Sequence, residues 1–234
     1  MTPPGRWFEK YRPSEMPLPS SRTDKLDGAP EHLQNFQSIH PKDQGQWVAP
    51  CGFGSDELLR EAIAATYGMI EMIDNGIGKI LKSLEDTQQL DNTIIVFTSD
   101  HGDMMGDHGL FLKGFMHYRG TLQVPLMVRA PGIEAQENHE LASSIDIGPT
   151  LLELCELPFY EGIQGETLVP ILLGDKKSVR DCVLIEDDIA TVTAQLTPIP
   201  AKTRTLITKT HRYTRCLLYT SPSPRDRQKS RMPS

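Results

Sequence analysis

Six candidate side chains for chemistry stand among the residues of TSDHGDMMGDHGLFLKGFMH (98–117): Asp100, His101, Asp107, His108, Lys113 and His117. An Asp followed directly by a His offers one carboxylate oxygen and one imidazole nitrogen. Carboxylate suits Mg²⁺, Ca²⁺ or Mn²⁺, and imidazole adds affinity for Zn²⁺ or Mn²⁺. Two ligands are too few for any of these ions, so the rest must come from elsewhere; for Ca²⁺ they should be mostly oxygens. The same side chains could instead cap a turn through hydrogen bonds to the backbone. Lys113 stands in a Gly-bounded loop, GLFLKG. There it is either solvated or a cation aimed at an anionic group, stabilising charge that develops during reaction.

The neighbouring elements say how such a cluster is held. The run TIIVFT (93–98) is β-branched and apolar throughout. It reads as a central parallel strand buried on both faces, with polar residues starting at its carboxyl end. In open α/β sheets, ligands gather at that end. Residues 56–85 read as one long helix capped by Ser55 or Asp56. Its stripe is Ile63, Tyr67, Ile70, Ile73, Ile77, Leu81 and Leu84. Gly68, Gly76 and Gly78 inside it suggest close packing, since each costs up to about 1 kcal/mol against Ala. Further on, 122–132 reads as a strand closed by Pro131-Gly132, and 143–157 as a short helix with Ile147, Leu151, Leu154 and Cys155 inward. Residues 181–187 and 203–213 read as strands, and the proline-punctuated stretch 1–54 as loop. Alternation of helix and strand is α/β order.

Composition narrows the class. The chain has 234 residues, 38% hydrophobic and 24% charged, with net charge −7. That charge argues against nucleic acid as a partner. No apolar stretch approaches the roughly 20 residues of a transmembrane segment. The opening MTPPGRWFEKYRP has no apolar core and is not a signal peptide. Cys51, Cys155, Cys182 and Cys216 form no C-x-x-C pair, against a structural zinc site. The final stretch, 216–234, carries three prolines and four basic residues without apolar periodicity. It resembles translated adapter or vector sequence, and no function is assigned to it.

Taken in order, the segments NTIIVFTSDHGDMMGDHGLFLKG, YRGTLQVPLMVRAPG, SSIDIGPTLLELCEL and IQGETLVPILLGD resemble the second half of the catalytic domain of the sulfatase family, within the alkaline phosphatase superfamily. The resemblance implies a three-layer α/β sandwich, here incomplete, followed by the beginning of a smaller α+β subdomain. Residues 1–175 would be partial catalytic domain, 176–215 the start of the C-terminal subdomain, and 216–234 non-native. It implies that Asp100 and His101 ligate a divalent cation, most often Ca²⁺, and that Lys113 contacts the sulfate. Asp107 to Gly109 would shape the pocket; His108 and His117 are the lesser candidates for substrate contact.

The resemblance also implies a formylglycine nucleophile made from Cys or Ser in C/S-x-P-x-R, and an upstream acidic pair on the metal. Neither occurs. Cys51 lies in CGFGS, without Pro two on or Arg four on, and SPSPR (221–225) has its proline one place off. The expectation is therefore a gene product truncated at its N-terminus and inactive alone. Three functions compete: part of a sulfuric ester hydrolase acting on a small-molecule or carbohydrate sulfate, a phosphonate monoester or phosphodiester hydrolase of the same superfamily, and a non-catalytic metal-binding protein.

Overall fold

The computed structural model describes residues 2–29, 31–38, 51–52, 54–113, 116–188 and 201–218. The chain divides into two compact units, 1–93 with 101–126, and 94–100 with 127–234.

The first unit is built on one helix. Short helices α1 (Arg6–Glu9) and α2 (Glu31–Ser38) and the short strand β1 (Cys51–Gly52) precede α3 (Asp56–Asp86). Ser55 is the N-cap: its hydroxyl accepts the N–H of Leu58 at 3.3 Å. The 31-residue α3 is about 46 Å long. Strand β3 (Leu110–Phe111) pairs antiparallel with β1, and α4 (Arg119–Leu122) closes the unit.

The N-terminal stretch is more than loop. Its prolines direct the chain along the first half of α3, where Met16 joins Leu59, Ile63 and Ala64 in a buried cluster. Tyr11, Leu18, Met105 and Phe111 pack against that cluster. Arg22 pairs with Asp56 at 3.1 Å, and Arg60 donates to the Met16 carbonyl. Gly68 is required by this wrapping, because a Cβ there would stand 2.3 Å from the Trp7 carbonyl oxygen. The packing expected of Gly76 and Gly78 is absent: a Cβ on either meets nothing within 4 Å. Beyond Gly68 the apolar stripe is only partly covered: Ile70 and Ile73 are each more than half exposed, and Ile77, Leu81 and Leu84 are half-buried.

The second unit holds two sheets. Strand β2 (Ile95–Thr98) pairs with β4 (Leu126–Arg129). Burial of β2 on both faces is not observed; Ile95, Val96 and Phe97 are half-buried. Among the described residues its sheet has two strands. The 143–157 segment is a 3₁₀ turn (144–146) leading into α5 (Ile147–Leu154), followed by α6 (Val169–Leu172). Cys155 is exposed rather than inward, because α5 ends one residue before it.

Strands β5 (Cys182–Asp188), β6 (Ala201–Thr208) and β7 (Arg212–Leu218) form an antiparallel sheet in that order. The single strand expected over 203–213 is a hairpin instead. The Thr208 hydroxyl accepts the N–H of His211 at 3.0 Å, and the Thr208 N–H donates to the His211 carbonyl at 2.8 Å. Threonine thereby turns the chain through its own backbone. Among the described residues, no helix is long and apolar enough to cross a membrane.

The second unit also contains a buried carboxylate. Asp146, fully buried, accepts the N–H of Ser143 and that of Glu166, each at 2.8 Å, and pairs with Arg180. Thr150 bonds the Asp146 carbonyl at 2.6 Å and accepts the Leu168 N–H at 2.9 Å. Gly165 permits this closure, since a Cβ would lie 2.0 Å from the Ile145 carbonyl oxygen. One aspartate thus ties the start of α5 to the backbone at Glu166, as a capping box with a buried counterion.

Candidate active site

Strand β2 ends at Thr98, and its polar exit is Ser99-Asp100. Asp100 is exposed and closes a segment of the second unit; His101, the next residue, opens a loop of the first.

That loop folds back on itself. The Met104 N–H donates to Leu112 at 2.9 Å and the Gly106 N–H to Leu110 at 2.8 Å, so 103–112 is a narrow hairpin with 107–109 at its tip. Met105, His108 and Leu112 hold positive φ of 43°, 53° and 67°. Such angles cost a non-glycine residue on the order of 1 kcal/mol or more and need external support. At the base, the Gly102 N–H donates to Thr121 at 2.9 Å, and a Cβ at Gly102 would fall 1.9 Å from the Gly120 carbonyl oxygen. Only glycine lets these two backbones approach so closely.

His101 and Lys113 meet across the hairpin's foot. Lys113 Nζ lies 2.7 Å from His101 Nε2, and His101 Nδ1 lies 2.8 Å from the Gly102 carbonyl oxygen. An ammonium only donates, so Nε2 is the acceptor and Nδ1 carries the proton. The imidazole is thereby held as the Nδ1–H tautomer with its Nε2 lone pair directed at the Lys113 ammonium. Asp103 sits beneath the pair. Burial pushes its carboxyl up, while the N–H groups of Met105 and Leu112 and the nearby His101 and Lys113 pull it down.

His108 belongs to another arrangement. At the tip, its Nδ1–H donates to Asp24 at 2.8 Å, its ring lies 4.4 Å from that of Tyr118, and its backbone N–H donates to the Ser21 hydroxyl at 3.3 Å. Its carbonyl accepts from Gln37 at 2.5 Å. Asp107 accepts the Ser21 hydroxyl at 2.7 Å. The second Asp-His-Gly triplet thus ties the hairpin to residues 21–37. The His108 hydrogen bond, then the Leu26 N–H, hold the Asp24 carboxyl below the usual range. His117 is buried, 7% exposed, between buried Met116 and Tyr118. The structure therefore brings His101 and Lys113 together and gives His108 and His117 other surroundings.

Two residues around these candidates carry no sequence motif. Asp24 is 84 positions from His108, so no local spacing could reveal it. Asp103 forms an Asx-turn to the Met105 N–H, for which the residue type Asp is the sole local hint.

A divalent cation fits what is present in part. A metal-ligating histidine characteristically donates its other ring N–H to a backbone carbonyl, as His101 does to Gly102. Among the described residues, however, no group of three or more His, Cys, Asp or Glu side chains could hold an ion. A formylglycine nucleophile does not fit, because the chain contains no C/S-x-P-x-R.

The chain has the alkaline phosphatase-like α/β fold of its structural neighbours. Its structure matches that of a phosphonate monoester hydrolase from Silicibacter pomeroyi with TM-score 0.76 at 23% identity, over 94% of this chain and 47% of that one. It also matches the phosphonate monoester hydrolase of Agrobacterium radiobacter, with TM-score 0.74 at 27% identity, over 92% and 47%.

The chain belongs to the sulfatase family, whose model matches residues 4–157. It is 33% identical over 170 residues to arylsulfatase K of Gallus gallus, covering 71% of this chain and 29% of the relative. It is 39% identical over 166 residues to the N-acetylglucosamine-6-O-sulfatase of Bacteroides thetaiotaomicron, covering 70% and 28%. The chain thus spans less than a third of the length of these two curated relatives.

Proposed function

We propose that this chain contributes the cation-binding and sulfate-binding side of a sulfuric ester hydrolase. Asp100 and His101 would hold a divalent cation, Ca²⁺ first and Mg²⁺ or Mn²⁺ next, and Lys113 would contact the sulfate. The observation that carries the reading is the Lys113–His101 pair, which brings an ammonium and an imidazole nitrogen to one place. A bound cation supplies charge neutralisation at the anionic ester. The chain's own residues do the rest: Gly102 fixes the imidazole tautomer, and the hairpin carries the Lys113 ammonium to the same place. His108 enters only through Nε2, since its other polar atoms are engaged, and His117 through packing. The nucleophile comes from outside these 234 residues. Residues 1–175 would belong to the catalytic domain and 176–215 would open a C-terminal subdomain.

The substrate class follows from the relatives' names, with a carbohydrate sulfate as first choice. A phosphonate monoester is the second reading, favoured by the Agrobacterium radiobacter enzyme at 27% identity. Titration with glucosamine 6-sulfate and a methylphosphonate monoester, in the presence of Ca²⁺ and followed by NMR, separates them. The sulfate should shift Lys113 and His101 resonances, and Lys113→Met should abolish the response. No shift with either ligand overturns the proposal, and a response to the phosphonate alone replaces the first reading by the second.

A further inference from the structure

We propose that Asp103 is a positioning residue, whose carboxylate sets the backbone that brings Lys113 against His101. The functional meaning of this inference rests on the reading of Lys113 as the sulfate contact. One oxygen, Oδ1, accepts two backbone donors: the Met105 N–H at 2.8 Å and the Leu112 N–H at 3.1 Å. These residues stand near the two feet of the hairpin, and both hold positive φ. Leu112 is the residue immediately before Lys113, and Asp103 follows His101 by two.

The side chain thus ties together the two strands from which the meeting residues project. Its oxygen sits where the backbone cannot satisfy itself. The Met104 N–H already uses the Leu112 carbonyl, and the Gly106 N–H the Leu110 carbonyl, which leaves Met105 and Leu112 with inward N–H groups and no strand partner. An unpaired buried donor is costly, and a single acceptor placed between two of them removes both costs. Without it, the chain at Leu112 would relax from its left-handed conformation. The Lys113 side chain would then start from a different place, and the 2.7 Å contact to Nε2 would be lost.

The prediction is therefore about an acceptor at a position, not about a charge. Asp103→Asn keeps Oδ1 and should keep the arrangement; Asp103→Ala removes it. The measurement is the ring ¹⁵N spectrum of His101 in the intact chain, recorded where imidazole is neutral and assigned with His101→Gln. Lys113→Met supplies the reference for a lost contact. Asp103→Ala should move the Nε2 resonance to the Lys113→Met position, while Asp103→Asn should leave it at the wild-type position. If Asp103→Ala does not fold, Asp103→Glu, which displaces the acceptor by one methylene, makes the same test and should also move toward the Lys113→Met position. A wild-type His101 spectrum in a folded Ala or Glu variant overturns the proposal. So does an Asn variant that matches Lys113→Met. None of these readouts requires sulfate or turnover, so failure of the sulfatase reading would leave them unaffected.

Discussion

Lys113 Nζ stands 2.7 Å from His101 Nε2, although twelve positions of chain separate the two residues. The same imidazole nitrogen that accepts from the ammonium is the one the proposed cation would use. A cation at Nε2 must displace or repel the lysine. Lys113→Met should therefore bind a divalent cation more tightly, by on the order of 1 kcal/mol at a water-like dielectric, or several-fold. His101→Gln should abolish binding at this position. Line broadening by Mn²⁺ reads both, and broadening centred away from residues 100 and 101 would remove this pair as the cation site.

Gly102→Ala should disrupt the loop base. The new methyl would start 1.9 Å from the Gly120 carbonyl oxygen, inside any allowed contact. Forced repacking of this sort costs about 1–3 kcal/mol. Denaturant midpoints should fall accordingly, and the Gly102 amide should exchange faster as its bond to Thr121 opens. Gly76→Ala is the control; with nothing near its Cβ it should be neutral or slightly stabilising.

The Asp24–His108 bond should make stability depend on pH on the acid side. The folded Asp24 carboxyl lies below its ordinary value, held there by His108 and then by the Leu26 N–H. Its contribution is fully present above the unfolded carboxylate pKa, about 3.9. It disappears as pH falls through the lower folded value. The effect should be modest, because the Asp24 side chain is 43% exposed. Urea midpoints from pH 6 down to 2.5 should fall less steeply in Asp24→Asn than in the wild type. Equal slopes would show that His108 is held by other contacts.

Asp146→Ala should be the most damaging single change in the second unit. It would leave the Arg180 guanidinium, 14% exposed, without its carboxylate, and orphan two backbone N–H groups. Breaking a buried pair in this way typically costs about 3–5 kcal/mol. Thermal unfolding is the check, with Arg180→Met expected to cost less because Asp146 keeps its backbone donors.

Legibility differed element by element. Helix α3 was readable to within a residue, because a 3.6-residue stripe and a serine cap are local signals. The hairpin of β6 and β7 read as one strand, because its turn is made by a threonine rather than by Gly or Pro. Cys155 was placed inward by a helical periodicity that stops one residue earlier. At the site, Asp100, His101 and Lys113 were visible as chemical types at a spacing shared with a family. Asp103 stands in the same string without a legible signal, because what it does in the fold is accept two backbone hydrogen bonds.

The sequence by itself determined the family and the α/β order of elements, and it marked Asp100, His101 and Lys113 as the candidates for a cation and a sulfate. All of these rest on residue type and short-range spacing. Tertiary structure alone decided that the two Asp-His-Gly triplets do different work. His101 is set between the Gly102 carbonyl and the Lys113 ammonium, while His108 is turned to Asp24 and Tyr118 and holds the hairpin tip. The two triplets are identical in sequence, so the difference arises from which distant backbone and side chains the fold brings within hydrogen-bonding range of each imidazole.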